Sequence, residues 1–184
     1  MNNDDDLIKA IYLFIKEFAE PQLADDCIIF AKQNNISLPN SDYCIFDIVD
    51  LIQHGKPVEL YDGNSETTTI KDRTELNVKI DFYSSLRSGG AGLSAFTRAV
   101  NINLVSRSYL ACKFLEPFGL SLIGSTSPLD TTIVRENNYL SRYSLTVSFL
   151  TTREFTVNYE FFDTVKKVIK NVDVLKGLFK FSNR

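Results

Sequence analysis

Between Thr74 and Ser85 the chain reads TELNVKIDFYSS, with apolar side chains at Leu76, Val78, Ile80 and Phe82 and polar ones at Glu75, Asn77, Lys79 and Asp81. A period of two puts successive side chains on opposite faces of an extended chain, so this stretch predicts a strand with one covered and one wetter face. The strand is expected to run from about Thr67 to Ser84. The pattern returns in YLSRYSLTVSFLT, where Tyr143, Leu145, Val147 and Phe149 alternate with polar residues, and again in EFTVNYEF through Phe155, Val157, Tyr159 and Phe161. The intervening LTTRE is read as a hairpin connection. Alternation this regular constrains the chain to a sheet with one packed side.

Other segments supply what would cover that side. DDDLIKAIYLFIKEFAE carries Leu7, Ile8, Ile11, Phe14, Ile15 and Phe18 at helical spacing, and Asp4 to Asp6 suit the positive end of a helix over about 5–18. Pro21 closes it. LADDCIIFAKQNN fits a short helix or a buried strand equally, NISLPNSD is a loop, and YCIFDIVDLI is a strand. QHGKPVELYDGNSETTTIKD is hairpin material, turning at Asp62-Gly63-Asn64. SLRSGGAGLS breaks the long strand. Leu93, Phe96 and Val100 mark a helix to about Ser106, and SRSYLACKFLEPFG a further helix stopped by Pro117 and Gly119. LSLIGS is a short strand and TSPLDTT a turn. FFDTVKKVIKNVDVL fits helix or strand. The blocks predict an α+β fold, a mostly antiparallel sheet (a mixed one stays open) with helices on one face. One domain over 1–184 is expected, with a β-rich part at about 139–175.

The chain has 184 residues and 44% hydrophobic ones, enough for a real core. A net charge of −3 argues against gripping nucleic acid through its phosphates, which needs a basic face. Cys27, Cys44 and Cys112 lie far apart without a CxxC pair, and read as small buried hydrophobes in a reducing compartment. MNNDDDLIKA is acidic where a signal peptide would be basic, and no apolar run approaches a membrane span, so a cytosolic product without a membrane partner is expected.

A search for chemistry finds no catalytic, cofactor-binding or metal-ligating set. His54 is the only histidine, in the turn-like LIQHGKP. A Ser–His–Asp relay would need it, and a zinc site usually wants more than one. RSGGAG, residues 87–92, resembles a phosphate-cradling loop but lacks both GxxxxGK[ST] and GxGxxG with a distal acid. The clusters Asp4-Asp5-Asp6 and Asp25-Asp26 read as caps and solvated faces, without the alternating ligands of a calcium loop. The lysines of VKKVIKNVDVLKGLFKF read as a solvated face. What remains is assembly equipment: sheet edges that can pair and hairpins that can reach a neighbour.

Four stretches carry a resemblance. They are AKQNNISLPNSDYCIFDI, TTTIKDRTELNVKIDFYSS with its Gly-rich turn and helix, FGLSLIGSTSPLDTT, and NYLSRYSLTVSF. Taken in order they resemble the tailed-bacteriophage neck terminator, or tail terminator, family over roughly residues 26–175. The resemblance implies a non-enzymatic structural virion protein without a cofactor, made in the host bacterial cytoplasm and sited in the tail or neck. Its subunits form a ring, expected to be a hexamer. The ring caps the tail tube, ends tube polymerisation and offers the interface for head attachment. Its implied partners are further copies of itself, the tail tube protein, the neck or connector protein and, in a contractile tail, the sheath. Genome DNA passes through the lumen without specific binding.

A closed ring of identical subunits needs two different complementary patches on each. The 55–70 hairpin and the 87–92 turn are expected to supply part of one, with Asp62, Glu66, Arg73, Arg87, Gly89 and Gly90 as candidate interface residues. Alternative readings are a head–tail adaptor, a tail-completion or tube subunit and, from a different class, a small-ligand binder or enzyme.

Overall fold

A computed structural model describes residues 4–32, 37–85, 93–135 and 138–158. The described chain divides into two compact units: one takes residues 4–56 and 72–153, the other 57–71 and 154–158. The long strands β4 (Thr67–Ser85) and β8 (Asn138–Asn158) each contribute a segment to both.

In the first unit, helix α1 (Asp4–Phe18) forms as its stripe requires, burying Leu7, Ala10, Ile11, Phe14 and Ile15. Each large apolar side chain there contributes about 2 kcal/mol on burial. Asp4, Asp5 and Asp6 sit in its first turn and Lys16 in its last, both favourable to the helix dipole. The ambiguous segment after Pro21 resolves into both readings in sequence: a single 3-10 turn at Asp25–Cys27, then strand β1 (Ile28–Phe30). Strand β2 (Tyr43–Gln53) pairs parallel with β1 and antiparallel with β4, so the sheet is mixed. Cys44, Phe46 and Ile48 lie opposite Phe82, Ile80 and Val78, and this row faces the core.

β4 and β8 are neighbours in the sheet. Asn77 meets Ser148 and Asp81 meets Ser144, so partners descend along β8 as they ascend along β4, as in an antiparallel pair. Helix α2 (Leu93–Val105) and helix α3 (Tyr109–Leu115) follow. Ser108 caps α3, and Gly119, with φ 66°, closes the 3-10 turn Glu116–Phe118 that follows it, in the left-handed conformation that glycine adopts without strain. Strands β5 (Leu120–Ser125), β6 (Leu129–Asp130) and β7 (Ile133–Arg135) run in turn along β8, a broken edge in place of one long strand. β6 lies inside the expected TSPLDTT turn. Breaks and bulges of this kind blunt an edge against unwanted pairing. The core lies between the three helices and one sheet face, where Leu76, Val78, Ile80, Phe82, Leu145, Val147 and Phe149 pack with the buried residues of α1, α2 and α3. Phe14 meets Phe149 edge-on at 5.8 Å.

The second unit, over its described residues, holds β3 (Val58–Asp62) against residues 67–71 of β4, with residues 154–158 of β8. Lys71 pairs with Glu154 at 2.6 Å and Thr69 with Thr156 at 3.1 Å.

Two expectations are corrected. LTTRE is not a turn: β8 runs unbroken through it. Phe149, Thr151, Phe155 and Val157 share one parity, so the alternation never changes phase. Thr151, Thr152, Arg153 and Glu154 include no turn former, and threonine favours a strand. Cys112 is exposed, unlike the buried Cys27 and Cys44. The seven-residue α3 buries Ala111 and Leu115 four apart, which turns Cys112 away. Residues 161–175, including the ambiguous FFDTVKKVIKNVDVL, lie outside the described residues.

Candidate functional site

Asp62 organises the hairpin turn between β3 and β4. Its carboxylate accepts from the Asn64 N–H at 3.0 Å and the Ser65 hydroxyl at 2.7 Å. The Ser65 hydroxyl, then the Asn64 amide, hold its pKa below the usual value, so the turn stays anionic. Glu66 leaves the turn with φ 53°, exposed. These two expected interface residues therefore share one turn. Arg73 is exposed on β4 in the first unit, where its carbonyl accepts from the His54 N–H at 3.1 Å. Arg87, Gly89 and Gly90 lie outside the described residues.

Just past the end of β2, His54 Nε2 donates to the Glu75 carboxylate of β4 at 2.8 Å. Among the described residues, no group of three His, Cys, Asp or Glu side chains could hold a metal. An open groove of about 480 Å³ beside β1 is lined by Ile8, Tyr12, Ile28, Phe30 and Phe46, with Asp5, Lys9 and Lys32.

On the sheet face opposite the helices, Asp81 accepts from Arg142 at 2.8 Å and from Ser144. The Arg142 guanidinium lies 5.3 Å from the Tyr83 ring centre, and Tyr83 stacks on Tyr43 at 4.5 Å. Burial pushes the Tyr83 hydroxyl up to about 12, partly opposed by the Arg142 charge. A second network ties α2 to the start of β2: Arg98 donates to Asp42 at 2.9 Å and to the Pro21 carbonyl at 2.6 Å, while Ser94 donates to Asp42 at 2.6 Å. The sequence reading singled out neither Arg98 nor Arg142. Arg142 sits at a polar position of an alternating strand, but Arg98 falls on the buried side of α2, where composition gives no warning of a cation.

Sequence reasoning also missed an outward stripe on α2. Its buried side carries Ala95, Arg98, Ala99 and Ile102, whereas Leu93, Phe96, Val100 and Leu104 are exposed. The helix puts small residues against the sheet and large apolar ones outside. β3 is likewise exposed at every position. Surfaces of this kind recur where proteins meet one another.

The family model described as phage neck terminator protein matches residues 5–177. The chain belongs to this family. No curated protein matches the chain. The family match takes in α1, which the sequence resemblance left out. As a member of the neck terminator family, the protein has a structural role in the tail or neck of a phage virion. Among the described residues, no helix of this neck terminator is long and apolar enough to cross a membrane.

Proposed function

We propose that the protein closes the top of the tail tube as a ring, expected to be a hexamer, that ends tube polymerisation and presents the surface to which the head's connector attaches. The observation that carries this reading is the family match over residues 5–177, a span that includes strand β3 with all five side chains exposed. Such a strand pairs with β4 but leaves apolar side chains about half uncovered, and a neighbour that covers them adds stability. In this reading the chain acts as one terminator-like domain. Asp62, Glu66, Arg73, Arg87, Gly89 and Gly90 contribute to subunit contacts, and the tube protein, the connector and, in a contractile tail, the sheath are the other neighbours. DNA crosses the lumen without being gripped, in keeping with the net charge of −3.

The test is electron microscopy of a lysate from phage carrying a nonsense mutation in this gene. Filled heads beside unattached, overlong or ragged tubes are expected. Normal tails detached from heads would move the role to an adaptor on the head side. Complete infectious particles would refute the structural role. Charge reversal at Arg73 and Arg87 is expected to impair ring assembly, and unchanged assembly would remove both from the interface.

A further inference from the structure

The outward stripe of α2 is long and one-sided. Leu93, Phe96, Val100 and Leu104 follow one another at steps of three, four and four residues, and their exposures are 62%, 43%, 37% and 68%. Tyr109 and Leu110 of α3 add further exposed apolar surface, at 74% and 60%. Residues 93–115 contain no Asp or Glu. Arg107 and Lys113 are both exposed, with the Lys113 ammonium 5.3 Å from the Tyr109 ring centre. The surface is apolar and cationic.

β3 has the opposite character. Val58 and Leu60 point to one side of the strand, 56% and 50% exposed, and Asp62 follows on that side. Glu59 and Tyr61 alternate with them. The described residues of this unit hold four acids, Glu59, Asp62, Glu66 and Glu154, against one cation, Lys71, which is engaged by Glu154. Over the described residues this surface is apolar and anionic.

We propose that β3 of one copy packs Val58 and Leu60 on the α2–α3 stripe of a second copy, with Asp62 and Glu66 of the adjoining turn facing Arg107 and Lys113. Apolar area on both sides supplies the gain in free energy, and opposite charge fixes partner and register. The two patches differ, so the contact is heterologous: every copy offers one of each, and the series ends as a ring when the rotation between neighbours closes. A second copy is favoured over a foreign protein because each patch finds its complement on the same chain. This inference rests on the ring reading above and adds to it the surfaces that meet.

The experiment compares the wild-type chain, D62K/E66K, R107E/K113E and the fourfold combination by sedimentation velocity over a concentration series. The same four proteins are then cross-linked on tail tubes from phage lacking the gene product. Circular dichroism checks folding, and Leu104→Ser tests the stripe without a charge change. Each double reversal is expected to weaken association about tenfold or more, and the combination to recover most of it. Leu104→Ser is expected to weaken it as well. Association that ignores every substitution overturns the patch pairing and leaves the ring standing. A wild-type chain that neither self-associates in solution nor cross-links to itself on tubes overturns both. Variants that self-associate normally but no longer bind tubes assign the stripe to the tube protein and overturn the pairing.

Discussion

Two buried polar residues have consequences that a single substitution exposes. Arg98 is only 4% exposed and bridges the Asp42 carboxylate and the Pro21 carbonyl, so it joins three chain segments at one guanidinium. Removing it leaves a part-buried carboxylate without this cation and a carbonyl without this donor. Arg98→Ala is expected to cost about 3 kcal/mol in urea unfolding. Arg98→Lys should recover only part, because an ammonium does not reproduce the guanidinium fork. Tyr83 makes a prediction about pH. Its folded pKa of about 12 lies above the unfolded value near 10, so between those values the unfolded chain has given up a proton that the folded chain retains. The contribution of this group is therefore fully present below about pH 10 and lost as pH rises towards 12. Unfolding free energy measured across that window should fall with pH, and Tyr83→Phe should make the decline shallower. An unchanged decline would show that Tyr83 ionises as it does in the unfolded chain.

Helix α2 shows that periodicity and burial are separate questions. Its apolar residues at Leu93, Phe96 and Val100 are enough to place a helix, yet its core side is built on Ala95, Ala99 and Ile102. Small residues let the helix come close to the sheet, and the same closeness leaves no room for growth. Ala95→Leu is expected to destabilise by about 1–3 kcal/mol through overpacking. Leu104→Ser, at an exposed site, should stay within about 0.5 kcal/mol of wild type. Thermal or urea unfolding of the two variants checks this. The reverse order would mean that the stripe, and not the alanine side, faces the core. Strand β8 carries a related lesson. A polar interruption at Thr151 to Glu154 looks like the end of a strand, but unchanged parity and the absence of a turn former keep the backbone extended.

Assembly belongs to the whole molecule. The chain carries 20 basic and 23 acidic residues, and among the described residues the two signs are unevenly placed. An apolar and cationic surface on α2 and α3 and an anionic one around β3 attract each other chiefly at low ionic strength, because screening shortens to about 10 Å at 0.1 M salt and about 3 Å at 1 M. Self-association followed by sedimentation is expected to weaken as salt rises while retaining an apolar remainder. Association that strengthens steadily with salt would point to apolar contact alone and argue against the charge pairing.

The sequence by itself determined the main extended and helical segments, though not the short strand after Pro21, the strand within TSPLDTT or the unbroken course of β8. Alternation at Leu76 to Phe82 and at Tyr143 to Phe149, the stripe of α1, the Asp62-Gly63-Asn64 turn and the stop at Pro117 and Gly119 are local signals, carried by side-chain periodicity and backbone preference, and they needed no neighbours. The order of its segments also carried the family resemblance. Placing Asp62 and Glu66 on one exposed turn was legible for the same local reason. Only the tertiary structure decided that β1 pairs parallel with β2, that α2 turns its large apolar residues outward, that Arg98 is buried against Asp42 and that Cys112 is exposed. Each of these depends on which distant segment lies alongside, and spacing along one element specifies a face without saying what that face will meet.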